Sequence, residues 1–275
     1  MRLIYGLIAL TLITLGCNSG GVNTGTNARN PTSLSPTPKP EKNVSEQKVT
    51  IDSPDGVKLV GSYYEAGKPM SPALLLLHQW QSDRHSFDDF ATRVQARGSN
   101  VLSIDGRGFG ESTKKADGST IAAGRTDADV KAMLGDVDAA VNYLLKQGNV
   151  DPKRIGIVGA SYGSSLAIIY AAEHASIAAV ALLSPGLNYF GNMPTEPAVT
   201  KYGDRKLILF AAEDDKESAD AVRKLDPIGR DEPRYPKHLY EVGGHGTALL
   251  KIGAGDEMSD FFADAFDLSN LHLKK

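Results

Sequence analysis

The stretch that decides the fold is Ile155-Gly156-Ile157-Val158-Gly159-Ala160-Ser161-Tyr162-Gly163, followed by the small-residue run Ser164 to Ala175. Its first four residues form a short apolar run of the kind a buried strand presents, and the segment after Gly163 suits a helix. Between them lies a G-x-S-x-G. Alone that pattern is common by chance; joined to a strand before it and a helix after it, it describes a sharp turn holding Ser161 in a strained conformation. Glycines on both sides suit such a turn, and small side chains at Ser164, Ser165 and Ala167 allow the helix to pack close to a sheet.

Working outward, strand-like and helix-like segments alternate. Val49 to Ile51 and Val57 to Val60 flank the turn-rich Ser53-Pro54-Asp55-Gly56, which predicts a hairpin. Ala73 to Leu77 reads as a buried strand ending at His78-Gln79-Trp80. A helix is expected from Phe87 to Arg97, a strand from Val101 to Ile104, and a loop over Asp105 to Gly110. Apolar residues at Val130, Met133, Leu134, Val137, Val141, Leu144 and Leu145 mark one stripe of a helix within Asp127 to Gln147. Further strands are expected at Ala178 to Leu183, Lys206 to Ala211 and His238 to Val242, with a closing amphipathic helix carrying Phe261, Phe262, Ala265 and Phe266. This alternation predicts an α/β protein with a mostly parallel, doubly wound sheet covered on both faces.

Composition narrows the function. The 275 residues are 41% hydrophobic, ordinary for a globular chain, and the 30 basic residues against 33 acidic ones argue against an electrostatic nucleic-acid binder. One cysteine forbids an internal disulfide and any Cys-based zinc site. No cofactor or metal is called for. That cysteine, Cys17, follows an apolar Leu3 to Leu15 and Gly16, a profile that resembles a bacterial lipoprotein signal. The resemblance implies removal of residues 1–16, acylation of Cys17 and an extracytoplasmic protein anchored at the cell-envelope membrane. Residues 17–47, rich in Asn, Gly, Ser and Thr and then Pro36 to Pro40, read as a disordered tether, leaving 48–275 as the catalytic-sized domain.

A serine hydroxyl needs a base to attack, and the base needs an orienting acid. Past the elbow, Glu213-Asp214-Asp215 follows one expected strand, and Gly243-Gly244-His245-Gly246 follows another. Both fall at carboxyl ends of strands, where α/β sheets place their sites. With these segments, His78-Gln79-Trp80 and Asp105 to Ser112 (a D-x-R-G-x-G-x-S loop), the body resembles the α/β-hydrolase fold, nearest its small esterase-like and dienelactone-hydrolase-like members.

That resemblance implies Ser161 as nucleophile, His245 as general base and Asp215 as acid, with Asp214 the rival register. It also implies an oxyanion hole from the backbone amides of Tyr162 and Trp80. The chain departs from the family at Gln79, where His-Gly is usual. Such a set implies hydrolysis of small-molecule carboxylic esters through an acyl-enzyme. The alternatives are a serine peptidase of prolyl-oligopeptidase-like type and a non-catalytic envelope-binding lipoprotein. The short segment from Ser184 to Arg205 implies a small cap and an open cleft lined by Trp80, Leu187, Tyr189 and Phe190. The remaining candidates have structural readings. His85 and His174 are expected at the surface, His78 as a hydrogen-bonder at a strand end, and His238 in a structural role. Asp105 and Arg107 are expected to shape their loop through hydrogen bonds and an ion pair, and Asp136 and Asp138 to lie on a helix's solvated edge.

Overall fold

The computed structural model describes residues 46–228 and 238–268. The expected leader, the acylated Cys17 and all of the tether but its last two residues lie outside the described residues. The first strand, β1 (Glu46–Asp52), turns through Ser53–Gly56 into β2 (Val57–Tyr64), with which it pairs antiparallel as expected. There follow β3 (Ser71–Leu77), a 3₁₀ turn at Arg84–Phe87, α1 (Asp88–Ala96), β4 (Asn100–Ile104) and the two-residue β5 (Lys114–Lys115). Helix α2 (Asp127–Leu145) opens with a capping box in which the Thr126 hydroxyl and the Asp129 carboxylate exchange bonds with each other's backbone N–H. Strand β6 (Val150–Ala160) leads into α3 (Tyr162–Glu173), and β7 (Ile177–Leu183) follows. The cap consists of β8 (Asn188–Tyr189), β9 (Met193–Pro194) and α4 (Thr195–Tyr202). The described chain closes with β10 (Lys206–Ala212), α5 (Lys216–Leu225), β11 (His238–Tyr240), a 3₁₀ segment at Gly246–Ile252 and α6 (Ala254–Ala265).

The main sheet runs β1-β2-β4-β3-β6-β7-β10-β11, antiparallel at the β1-β2-β4 edge and parallel from β4 onward. Each side of this sheet carries its own apolar cluster. Leu75, Ile157 and Val180 pack with Val137, Leu144 and Leu166 of α2 and α3, while Leu74, Val158 and Ala181 pack with Phe90 of α1 and Phe262 of α6. Strands buried on both faces are continuous apolar runs, which is why Ala73–Leu77 and Ile155–Val158 could be read without alternation. Among the described residues no helix is long and apolar enough to cross a membrane.

Two expectations about charges fail here. Asp136 does not edge α2 toward solvent; it is 3% exposed, and its carboxylate accepts from Arg107 Nε at 2.6 Å, Arg107 Nη2 at 2.7 Å and Ser53 Oγ at 2.5 Å. Asp138 is only part-exposed and accepts from the Tyr170 hydroxyl at 2.9 Å. Asp105 and Arg107 each form an ion pair, but not with each other. Asp105 accepts from Arg84 and from the backbone of Arg84 and Glu111, whereas Arg107 spans Asp136 and Asp55. The turn of the first hairpin is thereby tied to α2 through one guanidinium.

Candidate active site

The elbow is fixed by how close two segments come. A Cβ on Gly159 would sit 2.1 Å from the Gly163 carbonyl oxygen, and one on Gly163 would sit 2.5 Å from the carbonyl oxygen of Leu77 and 2.7 Å from that of His78. Both positions therefore exclude a side chain, which accounts for the two glycines of the motif. Between them Ser161 adopts φ 54° and ψ −125°, a conformation that costs a non-glycine residue about 1–3 kcal/mol and is held only where its surroundings enforce it. Its N–H donates to the Leu183 carbonyl at 2.8 Å, and the residue is 6% exposed. Tyr162 is the first residue of α3, so its amide has no acceptor within the helix.

The neighbouring strand ends carry the other groups. Asp215 follows β10, and its Oδ2 lies 2.6 Å from His245 Nδ1. The Asp215 carboxyl is pushed up by burial, but the hydrogen bond with His245 and the attraction of that ring leave it below the ordinary carboxylate range. An ionised Asp215 makes Nδ1 the protonated nitrogen and leaves Nε2 as the basic one. The histidine side chain is 45% exposed against 16% for the aspartate, so the imidazole is open to solvent while its partner is shielded. Asp214, the rival, has a different task. Its carboxylate accepts from the amides of Gly243 and Gly244 at 3.1–3.3 Å and so holds the backbone just before His245.

Two further residues complete the arrangement. Ser184 directly follows β7 with φ 47°, and its hydroxyl accepts from the Gly246 amide at 2.9 Å. Gln79, at the position where the sequence departs from its resemblance, accepts through Oε1 from the Thr247 amide at 3.3 Å, and a Cβ on Gly246 would approach that oxygen to 3.0 Å. Tyr189, expected in the cleft, donates its hydroxyl to the Ser184 carbonyl at 3.0 Å, and burial pushes that hydroxyl up. Asp215 and Ser184, which follow the adjacent strands β10 and β7, are thus both joined to the His245–Gly246 turn.

Around this core lie two walls. The rings of Trp80, Phe109, Tyr162 and Phe190 form one, with Trp80 centred 5.3 Å from Tyr162, 4.8 Å from Phe109 and 4.8 Å from Phe190. On the other side His245 and Gln79 border a cavity of about 600 Å³ whose further lining includes Asp89, Thr247 and Lys251. His78 stands behind the aromatic wall. Its Nε2 accepts from the Gly106 amide at 2.8 Å and its Nδ1–H donates to the Gln79 carbonyl at 2.7 Å, so it is the strand-end hydrogen-bonder expected. Burial holds its pKa below the usual histidine value, consistent with that neutral form. His85 is exposed beside Asp88, and His174 stacks on Tyr170 at 3.8 Å at the end of α3. His238 stacks on Phe210 at 4.9 Å and pairs with Glu257.

Comparison with known proteins agrees with this architecture. Residues 68–209, just over half of the chain, match the family model described as serine aminopeptidase, S33. The thiohydrolase aneE of Aspergillus aculeatus is 33% identical over 129 residues, which are 46% of this chain and 37% of that protein, so the chain matches well under half of that relative's length. The solved structure of the Pyrococcus furiosus esterase Pf2001 superposes with a TM-score of 0.63 at 18% identity, covering 87% of this chain and 98% of that one. The dienelactone hydrolase of Anabaena variabilis gives 0.58 at 16%, covering 81% and 97%. At such identities the two structures speak for the fold alone. The family model extends from before β3 into β10 and includes the elbow, and on that ground the chain belongs to the serine aminopeptidase S33 family of α/β hydrolases.

Proposed function

We propose that this hydrolase is a serine hydrolase of carboxylic esters, working through an acyl-enzyme on Ser161 with His245 as base and Asp215 as acid. The reading is supported by the 2.6 Å contact of His245 Nδ1 with an Asp215 carboxyl held below its ordinary range, together with a serine kept in a strained elbow. Nε2 takes the Ser161 proton as Oγ adds to the ester carbonyl. The amides of Tyr162 and Trp80 receive the oxyanion, a contribution of about 2.7–4 kcal/mol per donor in comparable sites. Collapse passes the proton from Nε2 to the departing alcohol, and water, activated by the same nitrogen, releases the acid. The cavity beside His245 offers the alcohol its exit. In the same reading, acylated Cys17 anchors the protein outside the cytoplasm, with residues 17–47 as its tether.

A fluorophosphonate probe tests the chemistry: wild-type protein should be labelled at Ser161, and Ser161→Ala should abolish both labelling and turnover. An unlabelled, folded wild-type protein with no turnover on esters would leave the non-catalytic envelope role. The description of the matched family favours a peptidase as the second reading. p-Nitrophenyl esters compared with peptide anilides separate the two, and thioesters belong in the same panel because one relative is a thiohydrolase. Metabolic labelling with palmitate, with Cys17→Ser as control, tests the anchor.

A further inference from the structure

The aromatic wall carries a cation that the ester chemistry does not require. The Arg125 guanidinium lies 4.7 Å from the centre of the Trp80 ring and 5.0 Å from that of Phe190. It is exposed, and among the described residues it has no ion pair and no side-chain hydrogen bond, so its N–H edge is uncommitted. The nearby acids are occupied elsewhere. Asp127 accepts from Asn192 at 2.9 Å, and Asp129 accepts from Thr126 at 2.6 Å. The backbone beneath Arg125 is pinned, because Asn192 Nδ2 of the cap also donates to the Arg125 carbonyl at 2.9 Å and the Thr126 capping box follows directly. A guanidinium that lies over two aromatic rings and has no side-chain hydrogen bond keeps its N–H fork available, and that fork matches a carboxylate.

Its position decides which part of a substrate it meets. Trp80 supplies a proposed oxyanion donor and packs on Tyr162, the residue after Ser161, and Phe190 packs on both rings. The cavity at His245 includes none of Trp80, Phe109, Phe190 or Arg125. Since the base must hand its proton to the alcohol, the alcohol belongs on the His245 side and the acyl group along the aromatic wall. Resting on the ester-hydrolase reading above, we infer that Arg125 is a specificity residue selecting acyl groups that end in a second carboxylate, the half-esters of short dicarboxylic acids.

The test compares mono-4-nitrophenyl glutarate with 4-nitrophenyl valerate, which share a leaving group and chain length and differ in the terminal charge. The wild-type ratio of kcat/KM should favour the glutarate half-ester by about tenfold at low salt and shrink at high salt. Arg125→Gln should bring the ratio close to one, and Arg125→Lys should leave it intermediate. Free glutarate should also slow fluorophosphonate labelling of the wild-type protein more than valerate does, a readout needing no variant. A wild-type ratio at or below one, or a ratio unmoved in Arg125→Gln, overturns the inference while turnover of the valerate ester keeps the hydrolase reading intact. Absence of both turnover and Ser161 labelling overturns the two together.

Discussion

Asp215 and Asp136 face similar partners in different settings. Each is shielded, and each has a basic side chain within 2.6 Å. Yet the Asp215 carboxyl lies below the ordinary range, whereas burial carries that of Asp136 above it despite hydrogen bonds from Arg107 and Ser53 and the attraction of the guanidinium. The difference is water. Asp215 keeps 16% of its side chain exposed and faces an open rim beside His245; Asp136 is locked with a permanent cation inside the hairpin–α2 joint. In the proposed function one carboxylate orients the base, and the other fixes where a loop goes.

The sharpest way to break that contrast is to neutralise each acid. Asp215→Asn should lower kcat by about 10⁴, the loss typical when a triad histidine loses its orienting acid. Asp214→Asn should cost far less. If the two are equal, the assignment of Asp215 fails. Next in size, Arg107→Met strands Asp136 without its counter-ion and should lower unfolding free energy by about 3 kcal/mol, read by urea titration. The surviving folded fraction should still label with fluorophosphonate.

Ser184→Ala removes the acceptor of the Gly246 amide. A loss of about tenfold in kcat/KM with little change in Tm is expected, near 1.4 kcal/mol. The smallest effect concerns acid. The Arg107 guanidinium beside Asp55 holds its carboxyl down to about 2, so the unfolded chain binds the proton first as pH falls below about 4. That part of the stability is present above pH 4 and lost toward pH 2, and Asp55→Asn should flatten this limb of a pH–stability curve.

How much of this could be read from the chain depended on what enforced it. The elbow was legible because backbone packing admits nothing but glycine at 159 and 163, and the hairpin and buried strands because their apolar runs were bounded by turn residues. The choice between Asp214 and Asp215 was not, since adjacent residues in one loop differ only in which way each points. Asp136 was misread although a signal existed. It stands three residues after Met133 and four before Ala140, on the buried stripe itself, where a carboxylate implies a partner. Ser184 and Arg125 left no local signal at all, because their roles arise where loops distant in the chain meet.

The near contact of Gly163 with the carbonyls of Leu77 and His78 has one more consequence. No side chain separates the start of α3 from the end of β3, so the turn bearing Ser161 and the turn bearing Trp80 form a single mechanical part. Neither can be remodelled without dislocating its counterpart. Divergence in what such a chain digests would therefore accumulate in the surrounding cap and rim, where Arg125 and Phe190 sit, while the floor stays as it is.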